Sequence, residues 1–185
     1  AWPAGGHTIY GIGRRFVMVT DVADDVDEPE TLTSTSVRCG NCGNVAVAPV
    51  LYDQAADRWL LSEFSSSGNR LCVYVSQTSD PVGGGWCAYQ FTAPGFPDYP
   101  KYGVWPDAYY VTTNEGSPAA YALDRQNMIT CGTARASQRF TAPDLSGFPF
   151  QALTPADLDG PTPPPAGAPG LMMRVSCAPA GATAP

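Results

Sequence analysis

The chain has 185 residues, of which 10 are Lys or Arg and 17 are Asp or Glu, for a formal net charge of −7. That length allows one domain, or one domain with tails. So few basic residues exclude a surface built to hold nucleic acid or an anionic membrane, because such affinity comes from Lys and Arg displacing counterions. A hydrophobic share of 44%, with 11% aromatic residues, excludes wholesale disorder and predicts a packed core.

Taken in chain order, the predicted elements are strands. The chain opens Ala1-Trp2-Pro3 with no initiator Met, basic n-region or apolar h-region, which reads as a processed or excised product. Short runs rich in Val, Tyr, Phe, Trp and Thr, bounded by Gly, Pro, Asn and Asp, predict strands at 8–10, 15–20, 45–52, 59–64, 71–77, 86–92, 103–105, 109–114, 119–123 and 137–140. Residues 21–30 hold six acidic side chains with no apolar period and read as a solvated loop. The best helical signal is a single turn over 124–129, which Asp124 would cap and Cys131-Gly132 would end. Residues 155–157 carry the signal of another short turn. No run approaches the roughly 18 to 20 apolar residues of a membrane helix, so no membrane insertion is expected.

Cys39, Cys42, Cys72, Cys87, Cys131 and Cys177 are an even number of cysteines in a Lys-poor, Ser/Thr/Gly-rich chain. They predict disulfides and a secreted, extracellular or periplasmic location. The connectivity is open. One pairing has a geometric rationale: Cys72 and Cys87 lie on the runs 71–77 and 86–91, which flank the turn at Ser79-Asp80-Pro81, so hairpin pairing would bring them near each other. Cys39-Gly40-Asn41-Cys42 also has the spacing of half a zinc site or of a redox pair. No second CxxC or CxxH accompanies it, the only His, His7, lies about 30 residues away, and an extended run follows where a redox motif would begin a helix. Structural disulfides are the favoured reading.

Four strand runs separated by tight turns fill 45–92, and the same order recurs over 101–141. Four-stranded units of about 40 to 48 residues have the period of propeller blades. The fold expected is all-β: antiparallel four-stranded blade-like repeats in a partial or open β-propeller-like arrangement, stabilised by disulfides. Three regions follow: 1–44, an N-terminal strand pair with the acidic loop; 45–154, two blade-like sheets; and 155–185, a Pro/Gly/Ala-rich strap and tail. Pro161-Thr162-Pro163-Pro164-Pro165 makes that strap stiff and extended, suited to crossing the surface of the sheets.

Four strings carry a family resemblance. They are Tyr52-Asp53-Gln54-Ala55-Ala56-Asp57-Arg58-Trp59; Val75-Ser76-Gln77-Thr78-Ser79-Asp80-Pro81-Val82-Gly83; Phe96-Pro97-Asp98-Tyr99-Pro100-Lys101-Tyr102-Gly103-Val104-Trp105-Pro106-Asp107-Ala108-Tyr109-Tyr110; and Pro155-Ala156-Asp157-Leu158-Asp159-Gly160-Pro161-Thr162-Pro163-Pro164-Pro165. In that order, over about residues 45–170, they resemble a family of secreted, often multidomain bacterial proteins with β-propeller-like repeats and no assigned activity. The chain departs from the family where an Asn- and Asp-rich stretch usually precedes the Val-Leu-Tyr-Asp run; here it has Gly43-Asn44-Val45-Ala46-Val47-Ala48-Pro49. The family's repeats also continue beyond the Pro-rich string, so the resemblance implies a fragment of a larger parent chain, completion by self-association, or an open arc of blades. Separately, Thr78-Ser79-Asp80-Pro81-Val82-Gly83-Gly84-Gly85-Trp86 resembles a degenerate sialidase- or arabinanase-type propeller turn. There the Asp caps backbone N–H groups and Gly supplies a positive φ.

Trp105, Tyr109 and Tyr99, with a carboxylate from Asp98 or Asp107, are the candidate ligand-binding residues. Aromatic rings stack on the C–H faces of sugars while carboxylates reach their hydroxyls. The competing reading of the same residues is a β-turn at Pro106-Asp107 between strands whose aromatics pack in the core. No catalytic residue is assigned. A glycoside hydrolase, the alternative function, would need two carboxylates about 5 to 9 Å apart from among Glu63, Asp98, Asp107 and Glu115. A Ser-His-Asp hydrolase would depend on His7, and there is no Gly-x-Ser-x-Gly elbow. Asp157 and Asp159 precede Gly160 as carboxylates do in calcium loops and are candidates for a structural Ca²⁺, without the remaining ligands of an EF-hand; no other cofactor is expected. The resulting expectation is a secreted, non-catalytic β-sheet module with a structural role or a glycan or protein partner, and no nucleic acid.

Overall fold

The structure, a computed structural model, describes residues 7–12, 15–20, 30–32, 45–65, 68–144, 153–160 and 162–174. β1 (His7–Ile12), β2 (Arg15–Thr20) and β3 (Glu30–Leu32) form a small antiparallel sheet in sequence order. The first four-stranded sheet runs in sequence order through β4 (Val45–Asp53), β5 (Arg58–Ser65), β6 (Arg70–Ser76) and β7 (Trp86–Thr92). The second does the same through β8 (Asp98–Val104), β9 (Tyr109–Asn114), β10 (Pro118–Leu123) and β11 (Gln138–Thr141). A short helix, α1 (Arg125–Met128), joins β10 to the segment leading into β11. Two-residue strands β12 (Thr154–Pro155) and β13 (Met172–Met173) pair within the strap.

The chain is therefore all-β and antiparallel, with two four-stranded meanders in the order expected of blades. Among the described residues they close neither a ring nor a barrel. The two sheets share a local detail. The first strand of each sheet carries a bulge with a proline in it, Pro49 between Val47 and Val50 and Pro100 between Asp98 and Lys101. Proline lacks the N–H that a regular ladder position needs, so a bulge is where a strand tolerates it.

The two sheets pack face to face. Leu60, Phe64, Leu71, Val73, Val75 and Phe91 of the first meet Tyr102, Val104, Tyr109, Val111, Tyr121 and Leu123 of the second in one buried cluster, with Met128 of α1. Burying each such side chain stabilises the fold by about 1.5–3 kcal/mol. On the opposite face of the first sheet, Trp59, Leu61, Cys72, Tyr74 and Trp86 form a second buried cluster. This explains why β6 reads as the continuous apolar run Leu-Cys-Val-Tyr-Val: it is buried on both faces.

The turn after β6 behaves as its sequence suggests. Asp80 Oδ1 accepts the Val82 N–H at 2.9 Å, Gly85 has φ +77°, and the indoles of Trp59 and Trp86 donate to the carbonyls of Ser79 and Pro81, each at 3.0 Å.

The pairing suggested for Cys72 and Cys87 is corrected. In the β6–β7 register Cys72 faces Gln90 and Cys87 faces Val75. The two cysteines are offset by three residues, and an odd offset puts them on opposite faces of the sheet. Cys87 is instead bonded to Cys131, 44 residues away, which ties β7 to the end of the α1 segment. Cys72 is also disulfide-bonded. Cys39, Cys42 and Cys177 lie outside the described residues, as do the acidic loop over 21–29 and the tail from 175 onward.

The strap crosses the outer face of the second sheet. Leu153 and Pro155 are buried, and the Leu153 carbonyl accepts the Thr112 hydroxyl at 2.6 Å. A Cβ on Gly103 would lie 2.5 Å from the Ala156 carbonyl oxygen, and one on Gly170 would lie 2.3 Å from the Tyr110 ring. Both glycines mark places where strap and sheet are in direct contact. Where a turn was expected at 155–157, the chain runs extended and Ala156 N–H bonds the Leu171 carbonyl at 2.8 Å.

Candidate functional site

At one end of the paired sheets, four segments converge: the turn leaving β4, the end of β8, the start of α1, and the strap at Leu158, Gly160 and Pro163. They enclose a cleft of ≈ 700 Å³ whose wall includes Tyr52, Gln54, Trp105, Pro106, Leu158 and Pro163. Its base is an ion pair. Asp53, fully buried, receives the Arg125 guanidinium through two bonds, Nε to Oδ2 at 2.6 Å and Nη2 to Oδ1 at 2.9 Å. Tyr109 donates its hydroxyl to Oδ2 at 2.9 Å, and the Ala56 N–H donates to Oδ1 at 3.0 Å. A further guanidinium N–H of Arg125 reaches the Pro106 carbonyl at 3.2 Å.

Local sequence explains the convergence. Asp53 ends β4 and folds back on its own turn through Ala56, while Asp57 takes the left-handed φ of 56° that reverses the chain into β5. Arg125 is the first residue of α1, which projects it from the second sheet towards the first. The carboxylate thus accepts four hydrogen bonds, two on each oxygen, the full complement for a buried carboxylate. Burial and the adjacent Asp53 charge push the Tyr109 hydroxyl far above its ordinary pKa. Asp53, Tyr109 and Arg125 thus satisfy one another and clamp one sheet to the other.

At the mouth of the cleft, the Tyr52 hydroxyl donates to Asp57, and its pKa is pushed up to about 12, by burial first and by that carboxylate second. The Gln54 amide donates to Asp159 at 3.3 Å and accepts the Gly160 N–H at 3.1 Å, so it fastens the strap to the β4–β5 turn. The Trp105 indole N–H donates to the Ala168 carbonyl of the strap at 3.3 Å.

The five candidate ligand-binding residues are not brought together. Trp105 lines the cleft. Tyr109 lies beneath it, wholly buried between the sheets. Asp107 is exposed on the neighbouring turn and accepts the Tyr110 hydroxyl at 2.9 Å, which with burial as the larger cause raises Tyr110 to about 12. Asp98 and Tyr99 are at the opposite end of β8, six residues of extended chain from Trp105, about 20 Å. The bulge gives Tyr99 a φ of 52° and turns its ring outward, 50% exposed, with the Lys101 ammonium 3.9 Å from the ring centroid.

The carboxylates a hydrolase would need do not gather at the cleft: Asp98, opposite Asn114, lies at the same end of the second sheet as Glu115, and Asp107 lies at the other end. Glu63 is buried on β5, where its carboxylate accepts the Tyr74 hydroxyl at 3.1 Å. Glu115 closes the β9–β10 turn and accepts from Thr113, Tyr121 and Arg139. None of Glu63, Asp98, Asp107 and Glu115 lines the cleft at Asp53. Of the calcium candidates, Asp157 accepts the Val104 N–H at 2.7 Å, and burial raises its pKa. Asp159 takes the Gln54 amide, and among the described residues no three of His, Cys, Asp and Glu stand together as a metal cluster.

Sequence reading passed over Asp53 and Arg125 as a site. The available signal was a charge closing an apolar strand, Val-Leu-Tyr-Asp, and an Arg in the best helical signal, in a chain with just 15% charged residues. Searches against family models, curated proteins and solved structures each return no match.

Proposed function

We propose that the chain is a secreted, non-catalytic β-sheet module that binds a neutral glycan in the cleft at Asp53. One observation carries the reading: the ionisable groups at the cleft base are saturated by one another, while the wall offers the half-buried Tyr52 ring, the 7% of Trp105 that is exposed, prolines and the Gln54 amide, already bonded to Asp159 and Gly160. Such a surface has rings for the C–H faces of a sugar and an amide for its hydroxyls, with no unpaired charge that a charged ligand would need. The Cys87–Cys131 disulfide supports an oxidising compartment. The resemblance to secreted bacterial blade-repeat proteins agrees with this.

The test is titration with neutral oligosaccharides followed by calorimetry, run beside an assay for newly released reducing ends. Saturable binding that Tyr52→Ala and Gln54→Ala each weaken, with no reducing ends released, is the expected result. Failure of every neutral glycan to bind at millimolar concentration would remove the glycan reading, and catalytic release of reducing ends would make the protein a hydrolase.

A further inference from the structure

The two four-stranded sheets have four outer edges, and three of them carry a guard. β4 is approached by β1 and β8. β7 is held to the segment after α1 by the Cys87–Cys131 disulfide, and the Tyr89 hydroxyl bonds the Met128 and Gly132 carbonyls, both at 3.2 Å. At the end of β8, Val104 exchanges bonds with the strap, its N–H to Asp157 and its carbonyl to the Leu158 N–H. β11 is different: all four of its residues are exposed, and it ends the strand order of its sheet. Its one charged side chain, Arg139, is turned away to Glu115 and Tyr121, and it has no proline or bulge to repel another strand.

The direction of its backbone groups follows from the ladder. Ala142 N–H donates to the Pro118 carbonyl, and Glu115 N–H donates to the Ser117 carbonyl. With the registers of β10 against β11 and β9, these fix the alternation: Phe140 and Gln138 bond towards β10, whereas the N–H and C=O of Arg139 and Thr141 point out to the open edge. Phe140 is opposite Ala120 and Thr112, hence on the outer face of the sheet, and is 55% exposed.

We propose that β11 pairs antiparallel with β11 of a second copy of this chain, about a two-fold axis passing between the two Phe140 residues. In that register Arg139 of each copy faces Thr141 of the other. All four outward backbone groups on each strand are then used, and the Phe140 rings meet as a close, non-hydrogen-bonded pair. The neighbouring registers are worse. One places Arg139 against Arg139, a like-charge pair; the other sets Arg139 against Pro143, which has no N–H to give. A strand of four residues buries less area than a permanent dimer needs, so the association is reversible and concentration-dependent.

Sedimentation velocity on the full 185-residue chain over about three decades of concentration tests this. The wild type is expected to pass from monomer to dimer, with the midpoint raised about tenfold or more by Phe140→Lys, which loses a buried ring. Thr141→Pro deletes an outward N–H without touching the ladder to β10, and is expected to do the same while leaving circular dichroism unchanged. Val82→Lys, at another exposed apolar residue, on the β6–β7 turn of the other sheet, should leave the midpoint in place. A wild type that remains monomeric throughout, or a dimer indifferent to both β11 variants, overturns the proposal.

Discussion

Asp53 and Arg125 illustrate how far one residue pair can determine the energetics here. Asp53→Ala would leave the Arg125 guanidinium, whose side chain is 8% exposed, buried without its carboxylate, with the Pro106 carbonyl and the Tyr109 ring as its neighbours. Removing one member of a buried pair costs about 3–5 kcal/mol, whereas replacing both with apolar groups of similar volume is often near neutral. Chemical denaturation should therefore show a large loss for Asp53→Ala and a much smaller one for Asp53→Leu combined with Arg125→Met. Equal losses would mean the pair is not the sheet-to-sheet clamp its geometry describes. Asp124 gives the matching pH argument. Its carboxylate accepts from the Arg135 side chain, the Arg135 N–H and the Asn127 amide, which hold it well below the usual carboxylate range. A carboxylate depressed by folding contributes fully above its unfolded value, about pH 4, and loses that contribution as pH falls towards its folded value. Melting temperatures of wild type and Asp124→Asn should differ at neutral pH and converge below about pH 4; curves that stay parallel would refute the assignment.

At the scale of elements, the disulfide and the strap each support a testable statement. The Cys87–Cys131 bond closes a span of 44 residues, which in the chain-entropy account stabilises the fold by about 4 kcal/mol. Replacing both cysteines with Ala should cost about 2–4 kcal/mol in urea denaturation, with the sheets still formed. Gly103→Ala would press a methyl group against the Ala156 carbonyl, a backbone atom that cannot swing away. A cost of about 1–3 kcal/mol and faster proteolysis of the strap are expected; a strap as resistant as in the wild type would show that its contact at Gly103 is dispensable. These two features also mark the limit of what the chain discloses locally. All ten strands expected from apolar and β-branched runs are present; those of the two four-stranded sheets other than β11 pack a face into a buried cluster, whereas β11 is exposed along its whole length. The strap pairing of Thr154 with Met173 is two residues long and spans a proline-rich stretch without periodicity, so no local signal marks it. The Cys72–Cys87 pairing failed for a related reason: a hairpin can be read from its turn, but which residues face each other depends on register, and a shift of one residue exchanges the faces. Asp53 and Arg125 are 72 residues apart, and nothing local distinguishes a charge that will be buried from one that will be solvated.

The whole molecule poses a question about cooperativity. Repeat architectures whose units touch only their neighbours can unfold piecemeal, each unit with its own stability. Here the two blade-like sheets share one core between their faces, and that core is crossed at one end by the Asp53–Arg125 pair and near β7 by the Cys87–Cys131 bond. Neither sheet can lose its strands without exposing the apolar face of the other, an effect worth more than any single surface contact. The slowest-exchanging amides of β6 in the first sheet and β9 in the second should therefore report the same opening free energy by native-state hydrogen exchange, within about 1 kcal/mol, and that value should equal the global stability from urea. In Asp53→Ala the two should fall together. A first sheet that opens while β9 stays protected would make each blade its own folding unit and reduce the shared core to a docking contact. Agreement would mean that a pair of four-stranded sheets, clamped at one end and strapped on its outer face, is already the cooperative unit, with no closed ring required for its stability.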